Sequence, residues 1–252
     1  MTRTAHLLKA VFDPDERYRL RMFEAALPVP VQRCALRILG GRANPFQPSA
    51  AKPDAIFIHV PKTGGTSIAT ALGLEGAGHI PLSRYYAADP ERLGRAFSFA
   101  IVRNPWDRLL SAYAYLSKRK QNFQFRDFRW AERYLSQFKD FEAFVLGLKD
   151  RRVREAVLDY IHFLPQVHWL TVPGHPEVRA DYVGRFEELD RSFASIADRL
   201  EIEAKLPVTR TSNHGAYQDS YTDEMAAVVG DVYGTDAVTF GYDFQRAAEA
   251  AE

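Results

Sequence analysis

Asp54-Ala-Ile-Phe-Ile-His-Val-Pro-Lys-Thr-Gly-Gly-Thr-Ser-Ile-Ala-Thr-Ala71 is the stretch on which the reading of this chain turns. Its apolar, β-branched opening from Ala55 to Val60 predicts a buried strand. Its close, Ser67 to Leu72, predicts the start of a helix. Pro61-Lys-Thr-Gly-Gly-Thr-Ser67 lies between them. Two glycines let the backbone turn tightly and come close to a ligand. The amides of the helix start then face the same space, and the helix dipole favours an anion there. Lys62 adds a full charge, and Thr63, Thr66 and Ser67 add hydroxyl donors. A Gly-Gly turn alone can be punctuation between elements. The lysine and three hydroxyls crowded around this one make it an anion cradle. It is not the nucleoside triphosphate loop G-x-x-x-x-G-K-[ST], because its lysine precedes the glycines.

A chain of 252 residues, 46% hydrophobic and 26% charged, suits one α/β domain with a substantial core and a small appendage. Lys and Arg total 33 against 32 Asp and Glu, a net charge of +1, so any pull on an anion is local and a broad nucleic-acid-binding face is excluded. The single cysteine, Cys34, has no internal disulfide partner, which fits a reducing compartment. Its neighbours Val31, Leu36 and Ile38 predict that it packs in a core. No run is apolar enough for a membrane span, and the expected location is cytoplasmic.

Outward from the central stretch, residues 1–50 predict a helical appendage: an amphipathic Arg17 to Leu27, a break at Pro28 and Pro30, and a second helix from Val31 to Leu39. Asn44 to Pro53 predicts a linker into the domain at 51–252. Phe97-Ser-Phe-Ala-Ile-Val102 predicts a second buried strand, and Leu109 to Leu116 the helix after it. Lys118 to Arg133 is aromatic and basic and is expected to cover the site or contact a substrate. Helices are predicted over Phe138 to Leu148, Val153 to His162, Asp190 to Leu200 and Asp223 to Tyr233, and a third strand over Asp181 to Phe186. Strands alternating with helices predict an α/β fold, a P-loop-like parallel sheet with helices on both faces. Ligands of such sheets sit beyond the carboxyl ends of the strands, where Lys62 and Arg103 both fall.

Arg103-Asn-Pro-Trp-Asp-Arg108 follows the second strand, and Ser111 lies one to two helical turns past Pro105. Read alone, it is a helix start with caps and surface pairs. Beside the cradle it adds a second cation and a hydroxyl for another phosphate. At this point the residues resemble a known family. Pro61 to Ser67 resembles the 5′-phosphosulfate loop of sulfotransferases that use 3′-phosphoadenosine 5′-phosphosulfate (PAPS), and Arg103 to Tyr113 resembles their 3′-phosphate motif. Pro165-Gln166, Gly184 to Glu187 and Asp236 to Phe244 resemble later landmarks of the carbohydrate branch, which includes Golgi and heparan sulfate enzymes.

The resemblance implies that Lys62 contacts the 5′-phosphosulfate and its bridging oxygen as both binding and catalytic residue. It implies that Thr63, Gly64, Gly65, Thr66 and Ser67 supply amides and hydroxyls, and that Arg103 and Ser111 hold the 3′-phosphate. It further implies a hydroxylated, saccharide-like acceptor, PAP as the second product, and no metal. Gly78-His-Ile-Pro-Leu-Ser-Arg-Tyr85 resembles the loop carrying the catalytic histidine of heparan sulfate 2-O enzymes, which makes His79 the candidate base. His59 is its rival, although its flanking Ile58 and Val60 favour a hydrogen-bonded core histidine. His214 sits in a loop that could close over the nucleotide. The alternatives are a P-loop-like kinase using ATP and a nucleotide-binding module without turnover.

Overall fold

The computed structural model describes residues 25–39, 45–46, 55–74, 78–118, 125–207 and 216–244. The predicted residues 17–24, most of the 44–53 linker, residues 119–124 and the His214 loop lie outside these. The described residues of Met1–Val102 and Gln166–Val208 form one compact unit, and those of Arg103–Pro165 and Thr209–Glu252 form a second.

The first unit holds the sheet. Its strands β1 (Ala55–Ile58), β2 (Phe97–Val102) and β3 (Tyr182–Arg185) pair in the order β1-β2-β3, all parallel. Ile58 is opposite Ala100, and Val102 opposite Arg185. Phe57, Phe99 and Ile101 point to one face, where they meet Ile68, Ala69 and Leu72 of α2 (Gly65–Ala71) and its C-terminal end. Phe193, Ile196 and Ala197 of the helix that follows β3, Leu189–Arg199, complete that layer. The alternate residues Ile56, Ile58, Ala100 and Val102 are buried too. Burial on both faces is why these strands read as continuous apolar runs rather than as an alternation. β1 stops two residues short of the predicted Val60, because the Val60 amide turns back to the Ile58 carbonyl (3.0 Å) ahead of Pro61.

Helix α1 (Val29–Leu39) packs on α3 (Leu82–Ala88), so the described part of the predicted appendage is docked on this unit. Pro30 does not break it; the proline sits in the first turn, where its missing amide costs nothing. Gln32 is fully buried and donates to the carbonyls of Ala25 (3.0 Å) and Leu27 (2.8 Å). Cys34, two residues and so about 200° further around the helix, is exposed rather than packed as expected. The unit is completed by α4 (Pro90–Arg95), capped by the Asp89 carboxylate on the Arg92 amide (2.9 Å), and by a short helix at Val167–Leu170.

The second unit is helical: α5 (Pro105–Ser117), α6 (Phe125–Tyr134), α7 (Phe141–Gly147), α8 (Arg151–Leu158) and, numbered after α9 (Val167–Leu170) and α10 (Leu189–Arg199), α11 (Asp223–Val232) and α12 (Gly234–Phe240). Helix α5 starts four residues before the predicted Leu109. Pro105 fixes the first helical φ, and the Asn104 side chain accepts from the Trp106 amide (3.1 Å).

Candidate functional site

The loop after β1 is held by contacts within the chain. Lys62 and Gly64 both take left-handed backbone angles, φ 71° and 75°, on either side of Thr63. Left-handed residues in a turn are what an anion nest of backbone amides uses. For lysine this conformation costs on the order of 1 kcal/mol, and it persists only where the surroundings impose it. Two contacts do so. The Thr63 hydroxyl donates to the Val60 carbonyl (2.9 Å) and closes the turn, and its side chain is fully buried. A Cβ on Gly64 would lie 3.1 Å from Phe186 and 3.2 Å from Leu189, so the residues just after β3 clamp the loop from the other side. This gives part of the Gly184 to Glu187 landmark a physical role. Thr63 therefore offers a ligand its amide, while its hydroxyl proton is engaged within the loop. Thr66 is exposed and Ser67 buried, both in the first turn of α2.

The two rival histidines come together beside this loop. His59 follows β1 directly, and its carbonyl lies 2.7 Å from Nδ1 of His79. The ring centroids are 4.2 Å apart, tilted by 45°. A carbonyl oxygen only accepts, so Nδ1 carries a proton, and in the neutral ring the lone pair lies on Nε2. That is the tautomer a general base needs. Trp169 of α9 stands edge-on to His79 at 6.0 Å, and Phe57 stacks on His59 at 5.2 Å. A Cβ on Gly65 would fall 2.1 Å from Cδ2 of His59, so this glycine is required by the imidazole lying against it rather than by its own backbone angle.

Arg103 and Ser111 belong to the second unit. Arg103 is 5% exposed and grips Asp107 with two parallel bonds, Nε to Oδ2 at 2.7 Å and an Nη to Oδ1 at 2.8 Å. This fork holds the guanidinium in one orientation. Ser111, half-buried, follows Asp107 by four residues and so shares its face of α5. Arg108 faces elsewhere: it is buried, donates to the carbonyls of His162 (3.3 Å) and Leu164 (2.8 Å), and lies over the Tyr233 ring. Burial pulls its guanidinium below the usual value, while Tyr233 and Asp236 oppose that shift. Its role is to tie α5 to the chain before Pro165.

Part of the aromatic, basic stretch serves packing rather than a substrate. Trp130 is buried and stacked on Tyr160 at 4.2 Å. Asp127 accepts from the hydroxyls of Tyr160 (2.5 Å) and Tyr115 (2.9 Å) and pairs with His162 (3.4 Å). Burial alone would raise its carboxyl, but His162 and the two hydroxyls outweigh burial and hold it well below the usual range. His162 accordingly serves as a buried structural partner of Asp127.

The sulfotransferase family model matches residues 50–243. This chain belongs to the sulfotransferase family. No curated protein and no solved structure matches it. Membership accounts for the α/β fold. In this sulfotransferase a cavity of about 420 Å³, lined by Ser83, His168, Thr171 and His175, contains none of the predicted site residues. Sequence reasoning missed Phe186 and Asp107 as supports, and it ranked His59 against His79 although the two act on one another. The spacing Arg103, Asp107, Ser111 carried a usable i, i+4 signal; the contacts of Phe186 and Trp169, more than 80 residues from their partners, carried none. Among the described residues, no helix is long and apolar enough to cross a membrane, and no group of three or more His, Cys, Asp or Glu is placed to hold a metal.

Proposed function

We propose that the chain transfers the sulfuryl group of PAPS to a hydroxyl of a saccharide acceptor and releases PAP. The observation that carries the reading is the left-handed turn at Lys62 and Gly64 leading into α2, with Nδ1 of His79 held on the His59 carbonyl beside it. Sulfuryl transfer, like phosphoryl transfer, rests on positioning and on stabilising charge. In this reading Lys62 and the amides of Thr63 to Ser67 hold the 5′-phosphosulfate, and Lys62 neutralises the bridging oxygen as its bond to sulfur breaks. His79 takes the acceptor proton at Nε2 while the acceptor oxygen bonds to sulfur, a contribution of about 10²–10⁴-fold in rate. Arg103, steadied by Asp107, and Ser111 bind the 3′-phosphate. The single cysteine supports a cytoplasmic location as part of the same proposal.

Calorimetry with PAP, AMP, ADP and ATP tests the donor half. Binding of PAP at least tenfold tighter than the others supports the reading. Preference for ATP, with or without magnesium, overturns it in favour of a kinase.

A further inference from the structure

We propose that His59 is a positioning residue for His79, through two separate parts of the same residue. This rests on the reading of His79 as the base. The His59 carbonyl takes the Nδ1 proton and so fixes the tautomer. The His59 imidazole fixes the place. It stacks on Phe57 (centroids 5.2 Å, 16° between planes), lies against the bare α-carbon of Gly65, and supports the His79 ring at 4.2 Å. A flat ring between the first turn of α2 and the base acts as a spacer: it sets how far His79 stands from the anion loop. Because His59 precedes Lys62 by three residues on one continuous run out of β1, base and cation are referenced to the same strand end. Nothing in this role uses the acidity of His59. It uses a carbonyl that any residue would have and a ring thickness that few would.

The structural separation of these two parts makes the idea testable without an acceptor. The full chain, carrying ¹⁵N-histidine, is observed by ¹H–¹⁵N spectroscopy of the imidazole nitrogens at a pH where the rings are neutral, and His79→Gln identifies the His79 signals. In the natural sequence His79 is expected as the Nδ1–H tautomer in roughly tenfold excess, the weight of one intramolecular hydrogen bond. Finding the Nε2–H tautomer instead overturns the proposal with no variant needed. His59→Ala keeps the carbonyl but removes the spacer, and the excess should fall severalfold as the His79 ring gains freedom. His59→Phe keeps a flat ring on Phe57 and should restore it, a rescue that mere loss of packing volume does not predict for one tautomer ratio. An unchanged ratio in His59→Ala, or failure of His59→Phe to restore it, sinks the spacer role. Titration of each protein with PAP separates the two levels: a locked Nδ1–H on His79 in a chain that binds no PAP refutes the sulfotransferase function and leaves the positioning of His79 by His59 intact.

Discussion

Gly65→Ala offers a sharp test of how the site is assembled, because two effects of opposite sign meet at one position. Gly65 begins α2, and exchanging glycine for alanine in a helix is worth up to about 0.5–1 kcal/mol of stability on backbone grounds. Against this, the new methyl would lie 2.1 Å from Cδ2 and 2.2 Å from Nε2 of His59. Carbon atoms in contact rest near 3.5–4.0 Å, so the imidazole must retreat by more than an ångström. It is confined by Phe57 on one side and His79 on the other. Overpacking of this kind costs about 1–3 kcal/mol, and giving up an aromatic stack adds about 0.5–1.5 kcal/mol. The clash wins, and Gly65→Ala should lose about 1–3 kcal/mol net, read as a lower midpoint in urea. The decisive comparison is the same substitution in a His59→Ala background. With the ring gone the methyl has room, and Gly65→Ala should become neutral or slightly stabilising, a coupling of about 2 kcal/mol in a double-mutant cycle. Equal destabilisation in both backgrounds would refute the claim that His59 is what requires glycine at 65.

Other consequences are equally measurable. Lys62→Gly relieves the left-handed strain and should be more stable than Lys62→Ala by about 1 kcal/mol, while both lose PAP affinity in calorimetry. Asp127→Asn should cost about 2–4 kcal/mol in urea unfolding, since it leaves buried partners poorly matched. Because the folded carboxyl lies below its unfolded value of about 3.9, its contribution is complete above that pH and disappears as pH falls towards the lowered folded value. The natural protein should therefore lose stability below about pH 4 more steeply than Asp127→Asn does. Arg103→Ala should weaken PAP and leave adenosine 5′-phosphosulfate nearly unchanged; equal losses for both would remove Arg103 from the 3′-phosphate.

What could be read from the sequence follows from the range of the forces involved. β2 falls on Phe97–Val102 as predicted because burial on both faces leaves an apolar run, broken only by Ser98, that ends at Arg103. The turn between β1 and α2 was legible for the same local reason: its glycines, lysine and hydroxyls are consecutive. Helices α3, α4, α9 and α12 were not predicted, since each spans no more than seven residues and gives periodicity little to act on; ten-residue α6 was not predicted either, its aromatic and basic residues having drawn the reading to a substrate contact. Asp89-Pro90 was nevertheless a readable start signal for α4. The sequence left Trp130 open between acceptor contact and packing, since only Tyr160, thirty residues on and stacked on it, decides for packing. The His59–His79 pair lay beyond sequence reasoning for a similar reason: the bond that makes them one device runs through a main-chain carbonyl twenty residues away, and carbonyls leave no trace in residue identity.

Rigidity connects these features to function. Thr63 closes the loop from inside, and Phe186 and Leu189 brace Gly64 from outside. An anion arriving at such a loop finds its donors already turned and need not repay the entropy of ordering them. A pre-shaped loop gives similar binding energy to every nucleotide that presents the same 5′ group. Discrimination must then come from a second contact with a group that only some of them carry. In the proposed reading that contact falls to Arg103, whose guanidinium Asp107 holds in one orientation. If the loop supplies affinity and Arg103 supplies selectivity, the ratio of PAP to AMP binding should survive Lys62→Ala even as both affinities fall. A ratio that collapses together with the affinities would mean that the loop, and not Arg103, tells the nucleotides apart.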